Sequence, residues 1–134
     1  MNPNIFPALK YHDSQAALEF LTKAFGFDEV SVHRAEDGSI GHAMLRLGAG
    51  MIMFGGPPQE EGWLGAGKPD PLAGTISVYV VVADPRAHYE HAASAGATIV
   101  RELERMDYGS LEYSARDPEG NLWSFGSYDP YAVS

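Results

Sequence analysis

Five histidines are the side chains of this sequence best suited to proton transfer or metal binding. His88 and His91 stand three residues apart with Glu90 between them, a spacing that puts both imidazoles on one side of a helix, as a metal pair needs. His42 sits in the alternating run His42-Ala43-Met44-Leu45-Arg46. A half-buried imidazole there could serve as a general base or hydrogen-bond donor, or it could simply be satisfied by a neighbour across a sheet. His12 and His33 read as surface or strand-end residues. The sequence has no cysteine, which removes a disulfide framework, a cysteine zinc site and a thiol nucleophile. It has no G-x-S-x-G elbow, and Gly48-Ala49-Gly50 reads as a hairpin turn rather than a phosphate-binding loop.

The elements that must carry these residues follow from periodicity and punctuation. Residues 5–11 read as a strand, with Pro7 tolerable near its start. His12-Asp13-Ser14 offers a helix N-cap, and Ala16, Ala17, Phe20, Leu21 and Ala24 recur at helical spacing until Gly26. Residues 30–34, 40–47 and 51–54 read as three further strands, separated by the turn signals Asp37-Gly38 and Gly48-Ala49-Gly50. A second series follows. Residues 75–83 are a strand, and Asp84-Pro85 opens a helix that ends at Gly96. Residues 98–104, 111–116 and 121–128 are strands, the last two joined by the turn Asp117-Pro118-Glu119-Gly120. On this reading the helix carrying His88 and His91 packs outside the sheet, and His88-Tyr89 belongs to that packing.

The two series are one unit repeated. Asp13 to Gly26 brackets a helix, and so does Asp84 to Gly96. Arg46 and Gly50-Met51-Ile52-Met53-Phe54-Gly55 match Arg116 and Gly120-Asn121-Leu122-Trp123-Ser124-Phe125-Gly126, with one insertion in the turn. A repeated β-α-β-β-β unit predicts an α+β fold: two tandem modules forming a curved eight-stranded mixed sheet, a cup with the helices on its convex face. The modules are expected at residues 1–55 and 75–128, with a tail at 129–134. Between them, residues 56–74 hold Pro57, Pro58, Pro69 and Pro71 without periodicity and read as a linker or functional loop. Trp63 lies inside it and is expected to dock on its own chain, a partner subunit or a ligand.

The string Tyr108-Gly109-Ser110, then Arg116-Asp117-Pro118-Glu119-Gly120-Asn121-Leu122-Trp123-Ser124-Phe125-Gly126, resembles the last hairpin of the vicinal oxygen chelate superfamily. That superfamily includes glyoxalase I, bleomycin-resistance proteins and extradiol dioxygenases, and the resemblance is to a metal-poor glyoxalase/bleomycin-resistance branch. It covers almost the whole chain and implies the cup-shaped fold that the repeat predicts. It also implies where the metal enzymes of the superfamily would place their ligands. The first place is seven residues before Asp13, at Phe6; the second is Met53; the third falls within residues 75–82; the fourth is Ser124. Phe and Met do not hold a hard divalent cation, a lone Ser is a poor ligand, and residues 75–82 contain no His, Asp or Glu. The expectation is no metal and no cofactor.

Strand pairing then selects the side chains of the cup. With Gly48-Ala49 as the turn, Met44 faces Met53, so His42, Met44 and Arg46 share a side with Met51 and Met53. With a four-residue turn at 117–120, Tyr113 faces Ser124, and Leu111, Tyr113, Leu122 and Ser124 join the cup, while Trp123 and Phe125 point under the helices. Phe6 and Trp63 complete the set of expected ligand-binding residues, with His42 as the one candidate for catalysis.

The formal net charge of −9 opposes nucleic-acid binding. No apolar run is long enough for a membrane span, and the N-terminus lacks a signal-peptide pattern, so a cytoplasmic protein is expected. Two functions stay open. One is a metal-free module that binds or sequesters an apolar or aromatic compound, for which methionines suit an adaptable surface. The other is a lyase or isomerase acting on a small oxygenated substrate through His42 or a displaced metal site. The resemblance implies a homodimer.

Overall fold

The computed structural model describes residues 5–55 and 77–130. The expected linker at 56–74, with Trp63, lies outside the described residues. The chain divides into two units, Met1–Leu72 and Ala73–Ser134. The first contains β1 (Ala8–Lys10), α1 (Ser14–Lys23), β2 (Asp28–Arg34), β3 (Ile40–Leu47) and β4 (Gly50–Gly55). The second contains β5 (Ser77–Val81), α2 (Pro85–Ser94), β6 (Thr98–Arg105), β7 (Leu111–Arg116) and β8 (Leu122–Gly126). Each unit is one β-α-β-β-β module. Its four strands form a mixed sheet, in the order β1-β4-β3-β2 in the first and β5-β8-β7-β6 in the second. The first strand of each module pairs parallel to the last, and the other pairs are antiparallel.

Both helices begin in the same way. Asp13 Oδ1 accepts the Ala16 amide at 3.0 Å, and Asp84 Oδ1 accepts the Ala87 amide at 3.1 Å, each satisfying an N–H that the first helical turn cannot. Both end through a left-handed glycine, Gly26 at φ 85° and Gly96 at φ 97°, a conformation that a Cβ would strain. Strand β1 is shorter than residues 5–11 because pairing with β4 begins only at Ala8; one residue earlier, the Pro7 carbonyl accepts the Met53 amide.

Period-two alternation decides what each sheet buries. In the first module Ala43, Leu45, Ile52 and Phe54 are all buried, and α1 supplies a matching buried stripe of Ala17, Leu18 and Leu21. Ser14 Oγ ties the helix start to the Gly55 carbonyl at 2.8 Å. In the second module Tyr113, Ala115, Trp123 and Phe125 are fully buried, and α2 covers them. His88 Nδ1 meets the Tyr113 hydroxyl at 2.6 Å, and the His88 ring lies 4.3 Å from that of Phe125. Tyr113 stacks on Phe125 at 5.2 Å, and Tyr89 meets Tyr113 edge-on. Each such aromatic contributes about 3–5 kcal/mol against truncation to alanine.

One expected register is wrong. The β7–β8 turn has three residues between its paired ends, because Asp117 and Asn121 still belong to the ladder: the Asp117 amide donates to the Asn121 carbonyl at 3.0 Å. Ser114, not Tyr113, therefore faces Ser124, and Tyr113 faces Phe125. Tyr113 and Leu111 lie on the helix-covered side instead of the other. The cause is Asp117, whose buried carboxylate accepts the amides of Glu119 and Asn121, the Asn121 side chain and the Trp123 indole at 3.0 Å. Gly120, at φ 89°, closes the turn as a three-residue hairpin loop requires. The β3–β4 turn pairs as the two-residue reading requires, Leu47 with Gly50 and Met44 with Met53.

Candidate functional site

Each sheet has one side buried with its helix and one side without. The helix-free side of the first module is built in rows across the strands. Ala8, Met53, Met44 and Ser31 form one row, and Lys10, Gly55, His42 and His33 the next. Met51 and Arg46 pair beyond them. Met44, Met51 and Met53 are half-buried, whereas His42 and Arg46 are exposed. The His42 and His33 rings lie 6.4 Å apart. Ser31 reaches this side through a bulge in β2 between Glu29 and Ser31, and its buried hydroxyl has no hydrogen-bond partner among the described residues. The surface is thioether and methyl at its centre and basic at its margins. Phe6 precedes β1 and is 41% exposed.

The second module repeats these rows with different chemistry. Tyr79, Ser124, Ser114 and Arg101 occupy the places of Ala8, Met53, Met44 and Ser31. The bulge recurs too, between Ile99 and Arg101, and brings Arg101 beside Ser114. Glu112 stands where His42 stands, next to Gly126 in place of Gly55. The result is a hydrogen-bonded polar surface. Arg101 donates through Nε to Ser114 Oγ at 3.3 Å and through Nη2 to Glu112 Oε1 at 3.3 Å. Tyr108 donates to the other Glu112 oxygen at 2.8 Å, and the Ser114 and Ser124 hydroxyls lie 2.7 Å apart. Tyr79 donates to the Tyr128 carbonyl at 2.8 Å. Burial, with the Glu112 carboxylate nearby, holds the Tyr79 phenol above its ordinary value, and its hydrogen bond to Glu112 does the same for Tyr108.

Of the residues expected from sequence, His42, Met44, Arg46, Met51 and Met53 share the helix-free side of the first sheet, and Leu122 and Ser124 that of the second. Leu111 and Tyr113 do not, for the register reason given above. Arg101, Glu112, Ser114 and Tyr79 were missed. The signal for two of them was present: matching Arg116 to Arg46 by the repeat aligns Ser114 with Met44 and Glu112 with His42, and so puts both on Ser124's side. No sequence signal marks the bulge that turns Arg101 inward.

The ligand places that the resemblance implies can be tested by their donor chemistry. Met53 and Ser124 occupy the last strands, and the parallel pairing puts Ala8 and Tyr79 opposite them. Ala8 takes that position rather than Phe6, two residues earlier, and neither is a ligand. A thioether, a methyl, a serine hydroxyl and a phenol already hydrogen-bonded do not make a divalent oxygen or nitrogen site. Among the described residues no three His, Asp or Glu side chains come together to form another.

Residues 8–125 match the Glyoxalase/Bleomycin resistance protein/Dioxygenase superfamily. The chain belongs to this superfamily. An uncharacterized protein of Mycobacterium bovis is 35% identical over 132 residues, covering 92% of this chain and 84% of that one. TioX from Micromonospora sp. ML1 is 30% identical, with a TM-score of 0.74 over 92% of this chain and 98% of that one. A glyoxalase/bleomycin resistance protein/dioxygenase family enzyme from Burkholderia phytofirmans shares the fold at 18% identity, with a TM-score of 0.69 over 90% of this chain and 94% of that one. Superfamily membership supports a small-molecule-binding or glyoxalase-like role in general. No helix among the described residues is long and apolar enough to cross a membrane.

Proposed function

We propose that this superfamily member is a small-molecule-binding protein in which a helix-free sheet surface holds an apolar or aromatic compound without a divalent cation. The observation that carries this reading is the methionine surface of the first module. Met44, Met51 and Met53 stand half-buried on the side away from the helix, at and around a place where the superfamily's metal enzymes need a carboxylate or imidazole. Three adaptable thioethers without a buried charge among them favour contact with flat apolar surface over polarisation of an oxygen. Bleomycin-resistance-like sequestration is the form of activity that this chemistry suits. His42 is exposed and stands beside another histidine rather than a carboxylate, an arrangement that gives no oriented acid–base pair. Chelator-treated protein titrated with flat aromatic compounds should bind at least one of them, and Met53→Glu should weaken that binding at least tenfold. Binding that appears only after a divalent cation is restored would contradict the proposal.

A further inference from the structure

We infer that Ser124 presents a directed hydrogen-bond donor on the helix-free side of the second module, suited to a neutral acceptor oxygen such as the carbonyl of an aromatic ketone, quinone or amide. This rests on the small-molecule reading above and adds the chemistry of the ligand's polar group.

The direction of the donor follows from the bonds behind it. Arg101 Nε can only donate, and it donates to Ser114 Oγ at 3.3 Å. Ser114 is 4% exposed, and its only other hydrogen-bond partner among the described residues is the Ser124 hydroxyl at 2.7 Å. If Ser124 donated to Ser114, the Ser114 hydrogen would be left buried without an acceptor, which costs more than a hydrogen bond contributes. Ser114 therefore donates to Ser124. The Ser124 hydrogen is then the open end of the chain, and among the described residues Ser124 has no further acceptor. A guanidinium at the head of the series polarises both hydroxyls in the same sense and strengthens the last donor.

The class of acceptor follows from charge. Arg101 is already balanced by Glu112 at 3.3 Å and Glu104 at 3.8 Å. A third carboxylate, from a ligand, would meet those two acids and the chain's net charge of −9. A carbonyl oxygen takes the same hydrogen bond without that repulsion. Tyr79, directly across from Ser124, has its hydroxyl engaged by the Tyr128 carbonyl and offers its ring as an apolar wall, with Leu122 on the same side.

The test uses full-length protein and two flat probes that differ by one carbonyl, 9-fluorenone and fluorene, measured by equilibrium dialysis. Ser124→Ala should lower fluorenone affinity about three- to tenfold, the range of one neutral hydrogen bond, and leave fluorene affinity unchanged. Ser124→Thr, which keeps the hydroxyl, should restore fluorenone binding. The infrared carbonyl stretch of bound fluorenone should lie lower on wild-type protein and Ser124→Thr than on Ser124→Ala. If Ser124→Ala affects both probes equally or neither, or if the carbonyl band does not move, the donor assignment is overturned while the small-molecule reading stands. If fluorene-9-carboxylate binds more tightly than fluorenone and depends on Ser124, the acceptor is an anion and the assignment to a neutral oxygen is overturned. If no probe binds wild-type protein, the small-molecule reading falls and the assignment falls with it.

Discussion

The carboxylate of Asp117 gathers two backbone amides, an amide side chain and an indole inside the β7–β8 turn, all within a buried position. Replacing it by alanine removes the acceptor of those donors, and the Trp123 indole is fully buried. Asp117→Ala should lower the unfolding free energy by about 3 kcal/mol, read by urea denaturation. Tyr113 acts differently from what its aromatic type suggests. It belongs to the core with His88, Phe125 and Tyr89, so Tyr113→Phe should cost about 1 kcal/mol of stability through the lost His88 contact and leave ligand affinity unchanged. Its pH signature is distinct as well. Burial holds the Tyr113 phenol well above its ordinary value of 10.0. The folded state keeps the proton that the unfolded chain releases, so the contribution is complete below pH 10 and declines as pH rises above it. Urea titrations above pH 10 should show stability falling with pH, and Tyr113→Phe should flatten that slope.

Strand crossings set the next level of constraint. At Gly126 an added Cβ would lie 2.5 Å from Glu112 Cγ and 2.8 Å from the Tyr79 hydroxyl, because both side chains pass directly over the strand. At Gly50 the nearest atom is a carbonyl oxygen at 3.6 Å, an ordinary contact. Gly126→Ala should therefore destabilise by about 1–3 kcal/mol, and Gly50→Ala should stay within about 0.5 kcal/mol of wild type in the same thermal melts. Much of this level was readable beforehand. The helices, the strand series and the core positions of Trp123 and Phe125 followed from capping residues, period and repeat. The β3–β4 register followed because Gly48-Ala49 allows only one short turn. The β7–β8 register did not, because Asp-Pro-x-Gly fits either a three- or a four-residue turn, and the choice is made by hydrogen bonds from residues up to Trp123. The internal repeat held the answer: Tyr113 and Ala115 are the counterparts of buried Ala43 and Leu45. The bulges beside Val30 and Val100 were out of reach, since nothing in a run of strand formers marks the extra residue, and with them went Arg101.

At the scale of the whole molecule, each module has two edge strands with no further strand paired to them among the described residues, β1 and β2 in the first and β5 and β6 in the second. Exposed edges favour further strand pairing or coverage by another surface. We propose a two-fold homodimer, the commonest closed assembly. Light scattering at micromolar concentration should give about twice the 14.5 kDa of one chain, and a mass of one chain would refute it. Calorimetric titration of chelator-treated protein with a flat aromatic probe such as fluorene, on wild type and Met53→Glu side by side, measures whether a metal-independent apolar site is centred on Met53. Saturable binding to wild-type protein in the presence of chelator is expected, with at least a tenfold loss in Met53→Glu and both proteins melting within a few degrees of each other. Equal binding by the two proteins, or binding to wild type only after a divalent cation is added back, would contradict it.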